Sequence, residues 1–166
     1  MRSWLLGTTG LWMVLAVSVG LSWTRPFAPL ERTGRRRLLV AGSVAILAQA
    51  AHFLEELATG FPRRFPEVLG LDPWSGGPFA AFNVTWLCLW VASLWAAAAG
   101  RRWAEWPIWF LAVALVANAV AHPLLALAGR AYFPGLVTAV AAGAVGLWLL
   151  ATLGDLSDRA RRGREG

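Results

Sequence analysis

The chain has 166 residues, of which 58% are hydrophobic and only 14% charged, well under the roughly 25% charged share of soluble domains. Eleven tryptophans and a mean hydropathy of +0.56 leave more apolar surface than one water-soluble core of this length can hide, and they exclude disorder as well. The net charge of +6 comes entirely from arginines that lie outside the long apolar runs and form no single basic face, so nucleic-acid binding is set aside in favour of charges that flank membrane spans and meet anionic lipid headgroups.

Five apolar runs, 4–23, 38–58, 79–99, 106–128 and 135–153, each approach the ~20 residues a helix needs to cross a bilayer. They predict an all-α integral membrane bundle of five transmembrane helices. Residues 1–154 form its single domain, and 155–166 a polar cytoplasmic tail expected to fray. The first run exceeds the ~7–15 residues of a signal-peptide core and lacks a small-residue cleavage site, so it is read as a retained span. With the N-terminus outside, eleven arginines fall on the inner side and four (Arg2, Arg63, Arg64, Arg130) on the outer. The positive-inside rule therefore favours N-outside, C-inside, as a multi-pass protein of a bacterial cytoplasmic membrane.

Tryptophans follow the same layout. Trp4, Trp23, Trp74, Trp103 and Trp106 fall near proposed interfaces, whereas Trp12, Trp86, Trp90, Trp95 and Trp148 lie deeper, between helices or against lipid. On the fifth run Gly135, Ala139 and Gly143 make a small-residue ridge that admits a close helix neighbour, within the chain or in a homo-oligomer. Cys88 is the only cysteine, which rules out an intrachain disulfide and any paired-thiolate metal site.

Four ionisable side chains lie inside the runs: His52, Glu55 and Glu56 on the second, His122 on the fourth. Groups that cost several kcal/mol to bury in lipid are rare there and mark function. Helical spacing puts Gln49, His52, Glu55 and Glu56 on one face, and Asn118 with His122 on another. With the second and fourth helices running outward, each histidine sits about 9 Å below the outer surface, and Asn83 on the inward-running third helix about 6 Å below it, at 1.5 Å rise per residue. Three helices thus bring polar groups to one level. Pro123, directly after His122, frees the carbonyl of Ala119, which suits a helix lining a cavity.

Two imidazoles and two carboxylates are a ligand set for zinc or another divalent transition metal. The His52-x-x-Glu55 pair has the one-turn spacing by which bundle helices deliver two ligands to one ion. In this reading His52, Glu55 and His122 hold the metal, Glu55 and Glu56 are the catalytic carboxylates with Glu56 as acid–base group, and Asn83, Asn118 and Arg130 bind substrate. The function expected is a metal-dependent enzyme acting on a lipid-like or amphiphilic substrate at the outer leaflet. A proton-coupled small-solute permease and a non-catalytic accessory protein with a structural polar network are the alternatives. The outer loop 60–78, with Pro62, Pro66, Pro73 and Pro78 among Phe61, Phe65 and Trp74, is placed to fold over the polar cluster as a lid.

His52-Phe53-Leu54-Glu55-Glu56, followed by Asn118 and His122, then by Arg130-Ala131-Tyr132-Phe133-Pro134-Gly135 and Thr138, resembles the HXXEE-motif family of small bacterial integral membrane proteins. The resemblance spans roughly residues 40 to 150. It implies a multi-helix membrane fold and a shared polar site, and it supplies no activity or substrate.

Overall fold

The computed structural model describes residues 8–165. They form six α-helices, α1 (Thr9–Thr24), α2 (Arg32–Thr59), α3 (Phe61–Val68), α4 (Gly76–Ala98), α5 (Glu105–Gly129) and α6 (Leu136–Glu165), with a short 3-10 turn at Arg102–Ala104 and no strand among the described residues. α2, α4, α5 with its preceding turn, and α6 are long and apolar enough to cross a membrane; α1 is apolar but shorter. Arg2, Trp4 and the start of the first apolar run lie outside the described residues.

Large apolar side chains cover the outside: Trp23, Leu47, Leu127 and Val137 are all exposed. In water such a surface would be unstable, whereas against lipid tails it costs nothing. Inside, Leu38, Ile108, Leu111, Leu115, Leu149 and Leu153 are fully buried in one core. The closest packing is between α5 and α6, with α6 also on α2, α1 on α5 and α4 on α2. The small-residue ridge of α6 faces α5: a side-chain carbon on Gly146 would meet Leu115 at 2.7 Å, and one on Gly143 would run into Ala119. In lipid this backbone approach replaces the hydrophobic drive that is missing between helices.

Two expectations change. The outer loop is not wholly irregular, because Phe61–Val68 winds into α3. Gly60, in the left-handed conformation (φ 88°), ends α2, and Pro62 occupies the first turn of α3, where its missing N–H costs nothing. The tail does not fray, since α6 continues to Glu165. Leu156 is buried against the core, and Asp155 pairs with Arg37 and Arg159 while Asp158 pairs with Arg25 and Arg161. The acidic residues that suggested a solvated tail fasten it to the arginines of α2 and of the α1–α2 connection.

At that same end Glu105, the first residue of α5, is buried. Its two carboxylate oxygens accept the backbone N–H groups of Phe27 (3.0 Å) and Ala28 (3.2 Å) and so pin the α1–α2 connection to the bundle. Fully buried Phe27 and Leu38 pack into the core beside it.

Candidate functional site

The opposite end of the bundle holds the histidines. His52 of α2 and His122 of α5 are both buried, with ring centroids 4.7 Å apart in an edge-on arrangement. Nε2 of each ring lies 3.4 Å from the same atom, Oε1 of the buried Glu56. Together these three residues form a group whose ligand atoms lie within 4.8 Å of one another and which could hold a metal ion.

What points the rings is the segment from Arg130 to Thr138. The Nδ1 of His122 lies 2.8 Å from the carbonyl of Pro134. A carbonyl only accepts, so Nδ1 carries the hydrogen and Nε2 keeps its lone pair. His52 Nδ1 lies 3.0 Å from the hydroxyl of Thr138. That hydroxyl has one hydrogen and gives it to Glu55 Oε2 at 2.5 Å. Its oxygen therefore accepts from His52, whose Nε2 likewise keeps a lone pair.

With both rings neutral, two lone pairs converge on a carboxylate oxygen and none of the three supplies a hydrogen; a ring protonated at both nitrogens would instead donate from Nε2. His52 Nε2 is buried and makes no hydrogen bond with protein atoms. Such a triad repels itself unless a cation lies among its atoms. Two ligands at about 2.0–2.1 Å from a tetrahedral ion stand about 3.3–3.4 Å apart, and Oε1 lies 3.4 Å from each Nε2, so the group has room for a shared cation.

Glu55 has a different task. Its carboxylate accepts the Tyr132 hydroxyl (2.5 Å), the backbone N–H of Val137 (3.1 Å) and the backbone N–H and hydroxyl of Thr138 (2.7 and 2.5 Å). Val137 and Thr138 are in the first turn of α6, whose N–H groups have no partner within the helix. Glu55 therefore caps α6 from another helix, with its negative charge at the positive end of the helix dipole. Partial burial and the adjacent carboxylate push the Tyr132 hydroxyl up from its ordinary value of 10.0, which keeps it a donor at neutral pH.

Gly135 completes the joint. Its φ is 86°, and a side-chain carbon there would lie 2.7 Å from His122, 2.9 Å from Glu56 and 2.9 Å from His52. Only glycine fits both the conformation and the space. Phe133 packs edge-on against His122 from one side (5.6 Å), and Phe61 of α3 stacks on it from another (5.7 Å). The α2–α4 connection, through Phe61, thus covers His122.

Of the expected site residues, His52, His122 and Glu56 form one buried group, and Asn83 and Asn118 line a cavity with Glu56 and His122. Glu55, expected as a ligand and catalytic carboxylate, is turned to the start of α6, and Glu56 stands with the imidazoles. Arg130, expected to bind substrate, is exposed and closes α5 in a left-handed conformation (φ 47°) away from the site. Sequence reasoning gave no role to Tyr132, Thr138 or the Pro134 carbonyl, although the string from Arg130 to Thr138 was the signal for all three.

A family model described as a protein of unknown function with HXXEE motif matches residues 43–149, a range that opens before His52 and closes after Thr138. The chain belongs to the HXXEE family. Its motif resolves physically into one imidazole, one helix-capping carboxylate and one carboxylate facing two imidazoles. No curated protein and no solved structure matches the chain.

Beside the HXXEE site is a cavity of about 240 Å³. Glu56 and His122 line one end, with Asn83, Asn118 and Gln49 near them, and the rest of the wall is aromatic or aliphatic. Phe82, Trp86 and Trp90, one turn apart on α4, form a ladder that continues to Phe110 of α5 through ring contacts of 4.5–6.2 Å.

Proposed function

We propose that this HXXEE protein is a metal-dependent enzyme acting on an amphiphilic, lipid-like substrate. It is built as a single five-span domain, N-outside and C-inside, in a bacterial cytoplasmic membrane. The observation that carries the reading is the convergence of three buried ligand atoms from two helices: Nε2 of His52, Nε2 of His122 and Oε1 of Glu56. Three protein ligands with the fourth side open are the pattern of catalytic rather than structural zinc sites. Here the remaining side is available to the cavity that Glu56 and His122 line.

When bound, a divalent transition metal would supply Lewis-acid polarisation of a substrate oxygen or activation of a water. The chain's own residues do the rest. Pro134 and Thr138 fix both imidazoles in the ligand tautomer, and such outer partners sharpen metal binding. Glu55 holds the start of α6, and with it Thr138, in register. Phe61 and Phe133 screen the imidazoles from water, which strengthens every charge interaction beneath them. Asn83 and Asn118 are placed to orient a polar substrate group at the same end.

Elemental analysis of protein purified from membranes without chelator tests the reading. About one transition-metal ion per chain is expected in the wild type, with none in His52→Ala or His122→Ala. A wild type that takes up no metal even after incubation with zinc, or variants that keep it, would overturn the proposal.

A further inference from the structure

Along α4 the cavity wall runs from Phe79 to Trp90, and along α5 from Leu125 back to Phe110. At 1.5 Å per residue these stretches measure about 17 and 23 Å. The cavity is therefore a slot parallel to the helices. Half of a hydrocarbon core of ~30 Å is about 15 Å, so the slot is at least as deep as the acyl layer of one leaflet.

Glu56, His122, Asn83, Asn118 and Gln49 supply the polar lining, alongside Phe61, Phe65, Trp74 and Leu125; farther along, Trp86, Trp90, Phe110 and Val14 offer an unbroken aromatic and aliphatic wall. One side is open to the surroundings. α1 packs on α5 and makes no extensive contact with α4, yet Gly10, Leu11 and Val14 of α1 line the slot together with the α4 aromatics. A side-chain carbon on Gly10 would meet nothing within 4 Å. Among the described residues no extensive contact closes the side between α1 and α4, which leaves the slot a way to the lipid-facing surface.

We infer that the slot binds the hydrocarbon chain of a single-chain amphiphile that moves in sideways from the bilayer between α1 and α4, its polar head resting at Glu56 and His122. This rests on the amphiphilic-substrate reading above and adds the route, the tail site and the number of chains. At about 240 Å³ the slot is smaller than the ~300–1,000 Å³ of ordinary ligand pockets, so it takes one chain and excludes a two-chain phospholipid. A water-soluble solute would find an apolar wall over most of the length and no means to satisfy its hydration there.

The full chain in phosphatidylethanolamine–phosphatidylglycerol liposomes, photolabelled with a long-chain alcohol bearing a mid-chain diazirine, tests this. Label is expected on the peptides that carry Trp86, Trp90 and Phe110, and excess untagged alcohol removes it. Ala117→Trp, which fills the slot from α5, lowers that labelling by roughly tenfold, about 1.4 kcal/mol of binding, with metal content unchanged. Labelling of lipid-facing Leu47 and Leu127 alone, or inner labelling that excess alcohol does not reduce, overturns the inference whether or not the variant folds. Saturable inner labelling in a wild type without metal sustains the slot and removes only the metal reading.

Discussion

The bundle buries a carboxylate at each end, and the two are used in opposite ways. Glu105 meets two backbone N–H groups, so each of its oxygens is matched to a donor. Glu56 meets two ring nitrogens whose hydrogens already point elsewhere. Both are buried, so burial alone does not mark a site. The number of hydrogens supplied by the neighbours does. A charge surrounded by donors is a rivet, and a charge surrounded by lone pairs asks for a cation.

Glu56→Gln should break this contrast most sharply. Losing a direct ligand should reduce metal affinity beyond the 10–100-fold typical of outer partners, while the thermal midpoint of the metal-free protein does not fall, because an uncompensated buried charge has gone. Glu105→Ala should do the reverse. It leaves two buried N–H groups unpaired, at about 1–3 kcal/mol each, so denaturation should show a loss of about 2–6 kcal/mol with metal content intact.

Thr138→Val sharpens the comparison further, since it keeps the shape and removes the hydroxyl that fixes the His52 tautomer. Metal affinity in a competition titration should drop by about 10–100-fold. Tyr132→Phe should have the smallest effect. It removes one of four hydrogen bonds to Glu55 on an exposed surface, and a stability loss of about 1 kcal/mol with unchanged metal stoichiometry is expected. A Tyr132→Phe protein that loses its metal would show that Glu55 belongs to the centre and is not merely a cap.

Much of this was written in the sequence. Hydropathy located α2, α4, α5 and α6, and helical spacing on α2 and α5 pointed to the polar residues that meet at His52 and His122. The choice between Glu55 and Glu56 was not legible. Both follow His52 by about one turn and both can share its face, so helical spacing cannot separate them. The distinction comes from the start of α6, whose bare N–H groups draw one carboxylate away, and that partner lies 83 residues further along the chain. Nor does a lone arginine beside a polar cluster announce that it will stand, as Arg130 does, in a left-handed conformation at the end of α5. The tail from Asp155 looked solvated because composition alone does not reveal which arginines on other helices will meet its aspartates.

His52 and Thr138 are 86 residues apart in the chain, which has a consequence for how the protein is made. The helix bearing His52, Glu55 and Glu56 must settle in the bilayer before the hairpin that supplies Pro134, Gly135 and Thr138 has been synthesised. Helices in membranes form first and associate afterwards, so for that interval the nascent chain carries its acidic pair without its eventual companions. Arrival of the α5–α6 hairpin supplies those companions, so assembly of the His–Glu group waits on a segment made well after the motif itself.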